Sequence, residues 1–359
     1  MLGSAAKMPL GSKSSRRRRR TRRGHAKPIP PNPFVALLAS VKRDVDLRLE
    51  TFFADKLAQV APYGPEVAAL VASAARLGLR GGKRLRPTLL VAGYRVVLPE
   101  GDLEPALDAG LALELLHTYL LIHDDWMDGD ALRRGGPTVH AELTKSFKSA
   151  RLGEVTAILA GDLVASLATE VMGRVRAPAA RGALLFEAFA TMQVDAILGQ
   201  VLDVASKDHE PEAMYALKTG SYTVRGPLRL GALLGGAKPA TLRALDAYAG
   251  PVGIAFQLAD DLLSAFGNPE ATGKALGNDV RAGKRTPLVL EAAFGNARAS
   301  DAQIKRALEV IERTGARRRT EERIEELLGQ GLAALDAGVT RQARELLEGA
   351  ALALTSRRV

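Results

Sequence analysis

The sequence predicts an all-α protein, on three observations. From Phe34 onward apolar residues recur at spacings of three and four, Ala and Leu dominate, and aromatic residues make up only 4% of the chain. Such a pattern suits helices packed on helices and leaves few of the residues that favour strands. With 359 residues, 47% of them hydrophobic, the chain can bury a large core. In chain order, helices are expected over about 35–61, 64–77, 84–97, 104–128, 139–147, 152–174, 178–205, 210–220, 222–235, 239–265, 286–296, 301–313, 318–337 and 339–355, with Pro and Gly supplying the breaks. Two connections, Gly129–Thr138 and Gly267–Arg285, are rich in charge and glycine, the composition of functional loops.

Charge and cysteine content remove several classes. The net charge of +10 resembles a nucleic-acid footprint until it is divided along the chain: residues 1–34 hold ten Lys or Arg and no acid, leaving 40 bases against 40 acids in residues 35–359. No nucleic acid is therefore expected on the folded body. Residues 1–34, with Arg16–Arg20, Arg22 and Arg23 followed by Pro28, Pro30, Pro31 and Pro33, are read as a disordered basic tail. The domain follows from residue 35 to residue 359. The absence of Cys excludes disulfides, a thiol nucleophile and Cys-ligated zinc, and it suits the reducing cytoplasm. The best apolar run, Leu111–Ile122, is interrupted by Glu114 and His117, so no transmembrane segment of roughly 18–20 residues is expected.

Chemistry concentrates in two acidic segments. Asp124, Asp125 and Asp128 lie at the end of the most apolar helix, and their i,i+3 and i,i+4 spacings put the carboxylates on one face. Two such charges about 5 Å apart repel by roughly 3 kcal/mol at an effective dielectric near 20. The negative helix C-terminus adds to the repulsion, so a cation must compensate, and an all-oxygen ligand set selects Mg²⁺. A second cluster, Asp260 and Asp261 with Gln257 and Ser264, repeats the pattern. Each cluster is followed by bases: Arg133 and Arg134 after the first, Lys274, Lys284 and Arg285 after the second. Acid, metal and base together point to a diphosphate. A glycine turn, Gly81-Gly82-Lys83-Arg84-Leu85-Arg86-Pro87, brings three more cations within reach of an anion. It is not a nucleotide-binding P-loop, because the Gly-x-x-x-x-Gly-Lys-Ser/Thr spacing is absent.

These segments, together with Gly199-Gln200-Val201-Leu202-Asp203 and Lys218-Thr219-Gly220, occur in the order found in the trans-isoprenyl diphosphate synthases, which the sequence closely resembles from about residue 35 to about residue 355. The resemblance implies one helical domain around a central cavity, in a homodimer. It implies about three Mg²⁺ ions on Asp124, Asp125, Asp128, Asp260 and Asp261, gripping an allylic diphosphate with Arg133, Lys218, Lys274 and Lys284. Lys83, Arg86, His117 and Arg134 would hold isopentenyl diphosphate, and Lys218, Thr219 and Gln257 would stand beside the reacting carbons. Gln200 and Asp203 are either site contacts or polar groups completing the surrounding network. Tyr119, five residues before Asp124, would limit product length and favours geranylgeranyl diphosphate over farnesyl or longer products. One departure stands out: Ser264 occupies the place where many members carry a third aspartate, which removes a charge from the metal shell. A class I terpene cyclase or a non-catalytic subunit fits less well, since both aspartate clusters and the Gly-Gly-Lys turn are present.

Overall fold

The chain enters its first helix through a cap. In the computed structural model, which describes residues 32–205, 210–267, 277, 286–288, 300–336 and 338–356, Asn32 accepts a hydrogen bond from the Phe34 amide at 2.9 Å and donates one to the Gly349 carbonyl at 2.9 Å. Pro33 supplies the fixed φ suited to the first helical turn. Helix α1 then runs Pro33–Val60 and buries Phe34, Val41, Val45, Leu49 and Phe53 along one stripe. Residues 32–34, assigned to the tail by sequence, thus belong to the folded body.

The remaining helices are α2 (Pro65–Leu79), α3 (Leu85–Val97), α4 (Glu104–Met127), α5 (Val139–Phe147), α6 (Ala150–Gly173), α7 (Ala179–Ala205), α8 (Pro211–Tyr215), α9 (Gly226–Gly235), α10 (Pro239–Phe266), α11 (Asp301–Thr314), α12 (Ala316–Ala333) and α13 (Arg341–Thr355). Between α4 and α5 a two-stranded hairpin, β1 (Leu132–Arg133) and β2 (Gly136–Pro137), interrupts the all-α pattern. The expected helix over 286–296 lies largely outside the described residues.

Helix α4 is the hub, packing against α1, α2, α3, α5, α6 and α9. From Ala106 to Leu116 nearly every residue is buried, Glu114 included. That all-round burial is why this segment reads as the most apolar helix and shows no polar face. Its C-terminal end, carrying the aspartates, emerges from the core. A second core region joins α1, α3, α9, α10 and α13 through Phe34, Leu89, Leu228, Tyr248 and Leu347, and α10 packs along α12.

Two expectations are corrected. The helix break anticipated near residue 221 is not a break: Ala216–Arg225 is π-helical and runs on without interruption from α8 into α9. A π segment inserts the backbone into a wider turn without ending the helix, a change that periodicity does not report. The expectation of no membrane-length helix also fails, because α4, α6 and α7 are each long and apolar enough to span a bilayer. Uninterrupted runs were the wrong measure: a lone Glu or Asp breaks a run while barely lowering a window's mean hydropathy. In α4 most of that apolar length is buried inside the fold, and in α6 and α7 less than half of it.

Candidate active site

The exposed end of α4 meets the β1–β2 hairpin. Asp125 is fully buried, Asp124 half-buried, and Asp128 exposed as the residue closing the helix. Arg133 reaches back from β1, donating from Nε to Asp125 Oδ1 and placing Nη2 3.7 Å from Asp124 Oδ2 and 4.0 Å from Asp130 Oδ2. Burial pushes the Asp125 carboxyl up to about 6 despite Arg133, and the neighbouring Asp124 and Asp130 push the same way. Its second oxygen, Oδ2, is buried without a hydrogen-bond partner among the described residues. A buried carboxylate oxygen left open beside a second carboxylate is the donor set that a hard divalent cation completes.

Lys218 approaches the same cluster from the π segment. Its Nζ donates to Asp203 of α7 and lies 3.6 Å from Asp124 Oδ1, to which Gln200 also donates at 3.3 Å. Gln200 thus touches the first aspartate cluster directly, and Asp203 reaches it through Lys218. The approach of α7 to the π segment depends on Gly199, where a Cβ would fall 2.2 Å from the Lys218 backbone nitrogen. The next residue, Thr219, turns the other way and donates to Gln257 Oε1 at 2.8 Å. Gln257 in turn donates to Asp261 Oδ1 at 2.9 Å, and Tyr215 to Asp261 Oδ2. Two adjacent residues of one π turn thus tie the first aspartate cluster to the second. Asp260 is half-buried next to Asp261, and the Ser264 hydroxyl is buried without a partner among the described residues. The five carboxylates do not yet converge: no group of three or more Asp, Glu or His among the described residues surrounds a point able to hold a metal. Arg133 and Lys218 neutralise Asp124 and Asp125, and Gln257 and Tyr215 hydrogen-bond Asp261 instead, as the repulsion between neighbouring carboxylates demands. Lys274 and Lys284, with Arg285, lie outside the described residues.

The glycine turn delivers fewer cations than its sequence promises. Arg84 points inward, 4% exposed, donating to Asp46 at 2.7 Å, Glu114 at 2.6 Å and the Gly78 carbonyl at 2.9 Å. It ties α1, α2 and α4 together at the head of α3 and is not available to a ligand. Removing one partner of such a buried network strands the others, so Arg84→Ala is expected to cost ~3–5 kcal/mol in urea unfolding. A loss under ~1 kcal/mol would show that the network contributes little. Sequence offered no sign of this role, because Asp46 is remote in the chain.

Lys83 is exposed, while Arg86 donates to Thr223 at 2.9 Å and stacks 4.3 Å over the Tyr222 ring. His117 packs against the same ring, its centroid 6.2 Å away, with Nδ1 buried and unpartnered among the described residues, as is Arg86 Nε. Burial above all, then the guanidinium groups of Arg86, Arg134, Arg133 and Arg84, hold the His117 pKa well below the ordinary imidazole value. His117 is thus neutral in the fold, and the unfolded chain takes up its proton first on acidification. Below about pH 6.5 the fold should lose ~1.4 kcal/mol per pH unit through this residue. Urea unfolding at pH 7.5 and 5.5 should show a smaller drop for His117→Asn than for the native chain; equal drops would refute the assignment.

Tyr119 is half-buried one turn before the first cluster and meets His123 edge to face, ring centroids 4.9 Å apart. His123 sits 3.1 Å from the Ile158 carbonyl of α6. Sequence reasoning missed Tyr215 and Tyr222. A usable signal existed, since the chain has only six Tyr and these two bracket Lys218-Thr219 at helical spacing.

The helical fold agrees with what comparison with known proteins finds. The polyprenyl synthetase family matches residues 68–328, and the chain belongs to that family. It is 34% identical over 250 residues to a short chain isoprenyl diphosphate synthase of Methanocaldococcus jannaschii, covering 64% of this chain and 72% of the relative. To a geranylfarnesyl diphosphate synthase of Natronomonas pharaonis it is 34% identical over 306 residues, covering 77% and 86%. Among solved structures, a Corynebacterium glutamicum geranylgeranyl pyrophosphate synthase complexed with isoprenyl diphosphate and magnesium superposes with a TM-score of 0.83 at 33% identity, covering 89% of this chain and 99% of that one. The protein is a trans-prenyltransferase of isoprenoid biosynthesis.

Proposed function

We propose that the protein condenses isopentenyl diphosphate with allylic diphosphates, Mg²⁺-dependently and mainly to geranylgeranyl diphosphate. The observation that carries this reading is the Lys218-Thr219 pair, which faces Asp124 with one residue and Gln257–Asp261 with the next. In that arrangement Asp124, Asp125, Asp128, Asp260 and Asp261 would hold about three Mg²⁺ ions, and the open Asp125 Oδ2 fits the role. Mg²⁺ when bound supplies charge stabilisation to the departing diphosphate. Arg133 and Lys218, already paired with carboxylates, would share that charge, and the sequence motif assigns the same part to Lys274 and Lys284.

Lys83, Arg86, His117 and Arg134 would bind the second diphosphate, with His117 Nδ1 and Arg86 Nε, unpartnered among the described residues, as ready hydrogen-bonding atoms. The allylic C–O bond breaks with its electron pair leaving on diphosphate. The isopentenyl double bond then attacks C1, and one proton passes to the released diphosphate. Thr219 and Gln257 contribute their dipoles beside the cation and fix each other's orientation through their 2.8 Å bond. No side chain needs to act as a nucleophile.

A second copy of the chain is the natural cover for α7, whose Leu184, Phe186, Val194, Ile197, Leu198 and Val201 are 45–55% exposed. The cysteine-free composition fits a cytoplasmic setting. Purified protein incubated with isopentenyl diphosphate, Mg²⁺ and each allylic diphosphate in turn should yield a predominantly C20 product by chromatography after dephosphorylation. No condensation with any allylic partner would refute the reading.

A further inference from the structure

We propose that Arg80 is a positioning residue that latches the β1–β2 hairpin onto the Gly81–Gly82 turn and so fixes Arg134 for isopentenyl diphosphate. Arg80 follows the last turn of α2, its amide bonded to the Arg76 carbonyl at 3.0 Å. From there its guanidinium crosses to the hairpin and donates from Nη1 to the carbonyls of Arg133 at 3.1 Å and Pro137 at 2.8 Å. One planar group thus grips both strands of the hairpin.

The hairpin returns the contact. Arg134 and Gly135 form its two-residue turn with φ of 51° and 73°, the all-positive geometry that matches strand twist but that an arginine seldom adopts. In this conformation Arg134 Nη1 donates to the Gly81 carbonyl at 2.8 Å. Each segment therefore binds the other's backbone through an arginine side chain, Arg80 outward and Arg134 back. Residue 136 must be glycine for the latch to close, since a Cβ there would lie 2.3 Å from Arg80 Cζ. Arg133 has a second anchor in Asp125, whereas the only hydrogen bond described for the Arg134 side chain is the one to Gly81. The latch consequently matters most to Arg134. Neither Arg80 nor the hairpin backbone is among the residues assigned above to the reacting groups, so loosening it should weaken binding more than chemistry.

The inference rests on the proposed function through the assignment of Arg134 to isopentenyl diphosphate. It is tested by steady-state kinetics of the full chain at saturating farnesyl diphosphate and Mg²⁺. Arg80→Ala should raise KM for isopentenyl diphosphate about tenfold, ~1.4 kcal/mol, with kcat within about twofold. Gly136→Ala, which displaces only the mobile end of Arg80, should do the same with every side chain of the site retained. Arg80→Lys should fall between, because its ammonium can donate to both carbonyls but sits on a shorter stem that ends short of the position of Nη1. Combined with Arg134→Ala, the Arg80 substitution should add almost nothing. Unchanged KM in both Arg80→Ala and Gly136→Ala, equal loss of kcat and gain of KM, or full additivity in the double variant would overturn the latch. An inactive native chain would instead refute the proposed function.

Discussion

Asp124→Ala should lower the rate of condensation by about 10³-fold or more while leaving the protein folded. Asp124 is the meeting point of the site: Arg133 approaches one oxygen at 3.7 Å, and Lys218 and Gln200 approach the other at 3.6 and 3.3 Å. Metal-assisted stabilisation of a leaving group is worth several kcal/mol, and ~4 kcal/mol corresponds to about 10³ in rate. The fold should survive because both cations keep nearer partners, Arg133 in Asp125 and Lys218 in Asp203. Half-exposed ion pairs of this length contribute at most ~1 kcal/mol. Kinetics with Mg²⁺ and thermal unfolding of the same preparation check both halves. Turnover near that of the native chain would sink the proposed mechanism.

Tyr119→Ala should change the product itself. The ring stands five residues before Asp124, about 7.5 Å along α4 at 1.5 Å per residue, on the path that a growing chain would follow from the first aspartate cluster. It is half-buried and braced edge to face by His123, so it does not swing aside freely. The adjacent Leu120 is aliphatic, which leaves a single aromatic to close the floor. Truncation should open space below the site and shift products beyond C20, read by chromatography of the dephosphorylated alcohols. An unchanged chain-length distribution would show that Tyr119 is not the floor and remove the main support for a C20 product.

The contrast between Arg84 and Arg86 shows where sequence reading reaches its limit. Both belong to one basic turn, and nothing in the local pattern separates them. The structure sends Arg84 into a buried network with Asp46 and Glu114 and leaves Arg86 stacked on Tyr222 with Nε unpartnered among the described residues. Their fates were decided by residues 38 and 30 positions from Arg84 in one case and 136 positions from Arg86 in the other, distances that no periodicity spans. The same holds for Tyr215 and Asp261, and for the latch between Arg80 and the hairpin.

What the sequence determined by itself was local in origin: helices from apolar spacing and Pro/Gly breaks, carboxylate clusters from i,i+3 and i,i+4 spacing, and the need for a cation from their repulsion. Tertiary structure alone decided which charges pair with each other and which stay open to a ligand. It also made Ala216–Arg225 a continuous π segment, so that Lys218 and Thr219 face different aspartate clusters. The physical reason is that charge pairing and backbone approach depend on which helices lie side by side. Burying the apolar faces of all of them at once sets that arrangement, and no single segment carries it.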